Sequence, residues 1–290
     1  MADEVVERAL SELAGGRSAS ALAILKSGHG SPGGELRRQL AEHLATRHHG
    51  RVYEEPAAFQ AFLDGGGNLR LYEATVARLA AAYRELPARR VLDVGTGDGR
   101  AVLAAAASLG DDAPELDLVE PSASLLAQAA AAARSAGLAA RTHLGTVQDL
   151  LARGTPEQPW DLVEATFALH AIRPPERTAV LAALHDLADA VLIAEFDVPA
   201  FDDRGPAHLS YLASRYELGL AEYEGTLVAQ GFLMPVLVGQ LDPSRPRLTW
   251  EQPAAAWMAQ LRAAGWDPMA VEPLADYWWA PAIVVTARAR

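Results

Sequence analysis

Val91-Leu92-Asp93-Val94-Gly95-Thr96-Gly97-Asp98-Gly99-Arg100 runs from an apolar, β-branched stretch into three glycines at alternate positions. The run predicts a buried strand, a sharp turn and the start of a helix. Glycine permits such a turn and lets a ligand lie against main-chain N–H groups at the helix N-terminus. A dinucleotide fingerprint needs G-x-G-x-x-G, yet Arg100 stands where its third glycine belongs. The spacing is D-x-G-x-G-x-G, which counts against a nicotinamide or flavin pyrophosphate site. No Gly-Lys-Ser/Thr follows, so a P-loop is excluded as well.

Outward from this turn, short β-branched runs alternate with alanine-rich helical windows. Leu116 to Val119 leads to a helix from about Ser124 to Ala136, and a weaker Thr142-His143-Leu144 follows. Trp160 to Glu164 and Ala190 to Phe196 are the next strand signals. Strict alternation implies βαβ crossovers, hence an α/β fold with a doubly wound, Rossmann-like, mostly parallel sheet. Residues 199–250 break the rhythm with Pro, Gly and aromatic residues, and Ala254 to Ala264 reads as another helix. Met269 to Leu274 and Ala282 to Thr286 end the chain as strands, joined by a link long enough for a hairpin but too short for a parallel crossover. The last strand is therefore expected to be antiparallel. The expected domains are a helical N-terminal region, 1–85, and an α/β core, 86–290, with an insertion at 199–250.

The N-terminal region carries Leu36, Leu40 and Leu44 on one helical face. The core or a second copy of the chain, as a homodimer, would cover that stripe. Gly65-Gly66-Gly67 suggests either a hinge between helices or a turn that touches a ligand. Across the 290 residues, 37 acidic against 25 basic side chains give a net charge of −12, which disfavours nucleic acid and anionic membranes as partners. There is no cysteine, which excludes disulfides, thiolate metal sites and cysteine nucleophiles. His48-His49 lacks a carboxylate at ligand spacing, so no metal is expected. The acidic start, without a basic segment before an apolar stretch, and the lack of a long apolar run point to a cytoplasmic protein.

Leu116-Asp117-Leu118-Val119-Glu120-Pro121-Ser122 places a carboxylate at the end of the second strand, where an acid can accept hydrogen bonds from two vicinal ribose hydroxyls. Four segments together resemble the successive motifs of class I S-adenosylmethionine-dependent methyltransferases. They are Asp93 to Gly99, Glu120, Gly145-Thr146-Val147-Gln148-Asp149-Leu150, and Trp160-Asp161-Leu162-Val163-Glu164-Ala165-Thr166-Phe167-Ala168-Leu169-His170. The resemblance covers about residues 86–290, including the terminal hairpin, and implies S-adenosylmethionine as cofactor, S-adenosylhomocysteine as product, and no metal. By the same resemblance Asp93, Gly95, Thr96 and Gly97 hold the methionine part, Glu120 the ribose, and Pro121, Ser122, Thr146 and Val147 border the adenine, with Thr166 completing the cofactor site. Many relatives carry an acid where Thr146 stands, so Asp149, Gln148 or main chain would take over its contact with the adenine amine.

His170 follows the fourth strand at the carboxyl edge of the sheet, and its ordinary titration range suits a general base. A loop-shaping histidine is the alternative. Glu195, near the end of the fifth strand, is a candidate for orienting a substrate amine. The aromatic residues Tyr53, Tyr72, Phe167, Tyr211, Tyr216 and Trp278 are candidates for binding a flat or cationic small-molecule acceptor, against the plainer reading of core packing. The function these readings favour is methylation of a small aromatic metabolite, indole- or phenol-like, at C, N or O in specialised metabolism. A nicotinamide oxidoreductase and a non-catalytic cofactor-binding protein are the alternatives.

Overall fold

The computed structural model describes residues 4–27, 34–46, 56–154, 158–244 and 247–289. Tyr53 and His48-His49 lie outside them. The chain divides into two units.

One unit comprises residues 70–198, 249–276 and 281–290. It holds a seven-stranded sheet: β1 (Arg90–Val94), β2 (Glu115–Glu120), β3 (Ala140–Leu144), β4 (Trp160–Thr166), β5 (Ala188–Phe196), β6 (Asp267–Ala275) and β7 (Ala282–Arg288), in the order β3-β2-β1-β4-β5-β7-β6. The first five strands are parallel, and β7 runs antiparallel between β5 and β6, as the short link requires. The strand order reverses between β1 and β4, so the carboxyl ends of these strands open onto the crevice where doubly wound sheets bind ligands.

Strand alternation sends Val91, Leu116, Leu162 and Leu192 to one face and Leu92, Val163, Val191 and Val285 to the other. On the first face the sheet is covered by most of the helix Asn68–Glu85, through Leu79 and Tyr83, and by helices Arg100–Ala107 and Ala123–Ser135. The second face is covered by Pro174–His185 and Ala254–Ala263, the latter through the fully buried Trp257. Burial on both faces explains the near-continuous apolar runs of the central strands. Asn68–Glu85 falls largely with the sheet, within the region expected to be N-terminal and helical.

The other unit comprises residues 1–69, 199–248 and 277–280. Its helices include Glu4–Ala14, Ser18–Ser27, Glu35–Thr46, Pro56–Leu63, Pro206–Leu220 and Met234–Leu241, the last entered through a π-helical turn at Ala229–Leu233. Segment 199–248 is thus mainly helical. Leu36 and Leu40 are buried, packed within the same unit. The Glu217 carboxylate accepts hydrogen bonds from the N–H groups of Glu35 and Leu36, at 2.8 and 2.9 Å, and so caps the first turn of Glu35–Thr46. The triple glycine is a tight turn whose Gly67 N–H donates to Glu222 at 2.6 Å.

Candidate active site

Gly95, Gly97 and Gly99 all have positive φ, at 75°, 59° and 81°. A Cβ on Gly95 would come within 2.4 Å of the Ala168 Cβ, whereas one on Gly97 would meet nothing within 4 Å. Gly95 is therefore needed for packing and backbone. Gly97 is needed for backbone alone, and the space beside it is open. The Gly95 and Thr96 N–H groups bond the Val119 carbonyl, which fixes the turn against β2.

Glu120 ends β2 with its carboxylate buried. One oxygen accepts the Gly97 N–H at 3.0 Å and the other the Ser122 N–H at 2.8 Å. These donors orient the carboxylate at the turn without neutralising its charge. The remaining acceptor capacity of its two oxygens matches two hydroxyl donors. Ser122 also caps the following helix by accepting the Leu125 N–H, and Pro121 is exposed.

Thr146 heads the helix Val147–Ala152 in a capping box. Its hydroxyl accepts the Asp149 N–H, and Asp149 accepts its N–H and hydroxyl, both at 2.8 Å. These hydrogen bonds hold the Asp149 carboxyl below its ordinary range. Both of these bonds engage Oδ2, so Oδ1 takes no part in the cap, and Val147 is buried in the core below.

Asp93 is 2 % exposed and Glu164 0 %, and the two are direct partners across β1 and β4. Among the described residues no donor reaches Asp93 Oδ1 or Glu164 Oε2, while the Tyr83 hydroxyl donates to Glu164 Oε1 at 2.7 Å. Burial pushes both acids up, Asp93 to about 7, and the Tyr83 phenol rises too because it is buried beside Glu164. Glu164 and Tyr83 were not singled out by sequence reasoning. The available signal was an acid inside Trp160-Asp161-Leu162-Val163-Glu164-Ala165, a strand buried on both faces.

At the carboxyl ends of β4 and β5, the His170 backbone N–H donates to Glu195 Oε1 at 3.0 Å, and its Nδ1 lies 2.9 Å from Oε2. Burial pulls the imidazole down, but the charge and hydrogen bond of Glu195 outweigh it and raise His170 to about 9. The ring is thus a cation at neutral pH, able to donate from Nε2. Acceptance of a proton there needs a more alkaline medium. Both Glu195 oxygens are engaged by His170.

Phe167 has φ +52°, a strained value for a bulky residue, and stacks on Phe196 with ring centroids 4.8 Å apart. Tyr72 meets Phe167 edge-on at 6.4 Å, and the Arg100 guanidinium lies 5.3 Å from the Tyr72 ring centroid. Thr166, partly exposed, ends β4 beside them. These residues share the sheet unit with the glycine turn. Tyr211, Tyr216 and Trp278 belong to the helical unit. There Tyr211 donates to the Trp279 carbonyl at 2.7 Å, and Tyr216 and Trp278 are buried against each other at 5.7 Å.

A cavity of about 550 Å³ lies at the opposite, amino-terminal edge of the sheet, lined by Arg90, Asp117, His143 and Trp160 among others. Asp117 accepts hydrogen bonds from Trp160 and Arg90 and pairs with His143 at 2.9 Å. Burial would raise this acid, yet these partners hold it at about 2. Asp117 is thus satisfied within the cavity, away from the edge where such sheets bind ligands.

A family model described as a methyltransferase domain matches residues 91–189, from β1 into β5. Over that stretch the chain resembles a methyltransferase domain. The mitomycin 7-O-methyltransferase MmcR is similar in structure, with TM-score 0.51 and 15 % identity over 94 % of this chain and 71 % of that one. A candidate O-methyltransferase from Nostoc punctiforme PCC 73102 aligns with TM-score 0.52 and 15 % identity over 98 % of this chain and 72 % of its own. At such identity the likeness concerns the methyltransferase fold. No curated protein matches the chain in sequence. Among the described residues, no cluster of His, Asp or Glu is arranged to hold a metal, and no helix is long and apolar enough to cross a membrane.

Proposed function

We propose that the protein binds S-adenosylmethionine and transfers its methyl group to a small acceptor. The observation that carries this reading is the open space beside Gly97, bordered by the buried Glu120 carboxylate that its N–H orients. The residues fit the cofactor. Asp93 keeps a buried oxygen without a donor, which suits an ammonium group, and Glu120 suits a ribose diol. When bound, S-adenosylmethionine supplies an activated methyl group on a cationic sulfur.

The protein's part is to align the acceptor and exclude water, so positioning accounts for much of the acceleration. Asp93 and the turn from Gly95 to Gly97 hold the methionine end, Glu120 holds the ribose, and Pro121, Ser122, Thr146, Val147 and Thr166 border the remainder. With Oδ2 of Asp149 in the cap, its Oδ1, Gln148 or main chain takes the adenine amine. Phe167 and Tyr72 form an aromatic surface at the carboxyl edge of the sheet, which favours a flat acceptor of the indole or phenol type. Held by Glu195, the His170 imidazolium is suited to donate a hydrogen bond to an acceptor oxygen and stabilise its anionic form. MmcR, which is similar in fold, is named as a mitomycin 7-O-methyltransferase, and an oxygen acceptor is in keeping with that.

Thermal shift and labelled-methyl transfer together test the reading. S-adenosylhomocysteine is expected to raise the melting temperature whereas NADH does not, and a panel of small phenols and indoles is expected to yield labelled product. Stabilisation by NADH alone would indicate the oxidoreductase. Binding without turnover on any metabolite extract would indicate a cofactor-binding protein without catalytic activity, and turnover only of aliphatic acids or amines would refute the aromatic acceptor.

A further inference from the structure

Two buried carboxyls are neighbours beneath the glycine turn, and among the described residues no cation forms an ion pair with either. Asp93 and Glu164 are register partners on adjacent parallel strands, on the same face of the sheet, where strands lie about 4.8 Å apart. Tyr83 reaches Glu164 from the helix Asn68–Glu85, and Glu120 adds negative charge from β2. Thr96 contributes a neutral hydroxyl from the turn. Arg100, the cation that begins the next helix, pairs with Asp98 at 2.7 Å. Two carboxylates so placed cannot both ionise cheaply, and each retains one oxygen without a donor. A single proton between Asp93 Oδ1 and Glu164 Oε2 removes the repulsion and satisfies both oxygens at once.

We propose that Glu164 is a positioning residue that shares one proton with Asp93, and that this proton is released to solvent when the cofactor's ammonium group binds Asp93. The inference rests on the S-adenosylmethionine reading and extends it to a residue that touches the cofactor only through Asp93. The incoming cation offsets the repulsion between the carboxylates, so the shared proton is no longer needed. Proton and ammonium then compete for the same carboxylate pair, and affinity strengthens as pH rises through neutrality. Tyr83 holds the outer oxygen of Glu164 in place throughout.

Calorimetry with S-adenosylhomocysteine, in buffers of different ionisation enthalpy at neutral pH, counts the protons released, while infrared spectroscopy of the unliganded protein detects a protonated carboxyl. In the wild type we expect a protonated-carboxyl band, release of up to about one proton, and affinity rising by up to about tenfold per pH unit around neutrality. Glu164→Gln keeps an acceptor for Tyr83 and offers an amide N–H to Asp93. It should lose the band, the proton release and the pH dependence together. If this variant does not fold, Tyr83→Phe should keep the release but shift the band, because the donor to Glu164 is gone. Ligand binding by the wild type without proton release, or identical release by Glu164→Gln, overturns the proposal and leaves the cofactor reading intact. An unshifted band in Tyr83→Phe likewise overturns it. A band without any ligand binding overturns the cofactor reading, and the positioning role with it.

Discussion

Glu120 is held by two main-chain donors, Gly97 and Ser122, so its oxygens are aimed before any ligand arrives. Preorganisation of this kind lowers the ordering cost of binding. Glu120→Ala removes the acceptor for the ribose and releases the Gly97 amide. A lost hydrogen bond to a charged group is worth about 1.5–3 kcal/mol, so affinity for S-adenosylhomocysteine is expected to fall about tenfold or more. Calorimetry checks this, and unchanged affinity would remove Glu120 from the site. A second single-residue prediction concerns His170, whose imidazolium depends on the Glu195 charge. Glu195→Gln should bring its titration down from about 9, which histidine-ring NMR reads directly. A titration that stays near 9 would mean that another group supplies the charge. Glu120 was legible in the sequence because it follows a strand at the spacing a ribose acid requires. Glu164 was not, because its partner Asp93 is 71 positions earlier and only the register of β1 with β4 brings the two together.

At the level of elements, β1, β4 and β5 announced themselves through apolar runs because both of their faces are covered. The edge strand β3, Ala-Arg-Thr-His-Leu, is largely exposed, and the same physics made its signal weak. The terminal hairpin followed from link length alone. Helices of the 199–248 segment were hidden by Pro, Gly and aromatic residues. One of its prolines, Pro206, sits in the first turn of a helix, where the missing N–H costs nothing, and Pro235 follows directly on the π-helical turn. The capping box of Val147–Ala152 supports an element prediction. Thr146→Ala removes the acceptor for the Asp149 N–H and a donor to the Asp149 carboxylate, at a cost of about 1 kcal/mol. Chemical denaturation should show a lower midpoint with an unchanged slope. A midpoint equal to wild type would mean that the cap contributes nothing measurable.

For the whole molecule, pH dependence integrates the shifted groups. Asp117 lies below its ordinary range, at about 2, so the stability it contributes is present at neutral pH and lost as pH falls toward that value. His170 acts in the opposite sense. Its folded pKa of about 9 lies above the ordinary 6.5, so its contribution is fully present below 6.5 and disappears as pH rises through 9. A shift of that size corresponds to about 3 kcal/mol for a group largely shielded from water. Asp93 acts at lower pH: raised from the carboxylate range to about 7, it costs stability as pH climbs to that value, and the raised Glu164 acts in the same sense. Thermal midpoints are therefore expected to decline between pH 6.5 and 9 in the wild type. Glu195→Gln removes the charge that holds His170 protonated, so it should start from a lower midpoint and decline less over the same interval. Parallel curves for the two proteins would show that the His170–Glu195 pair does not govern the alkaline limb.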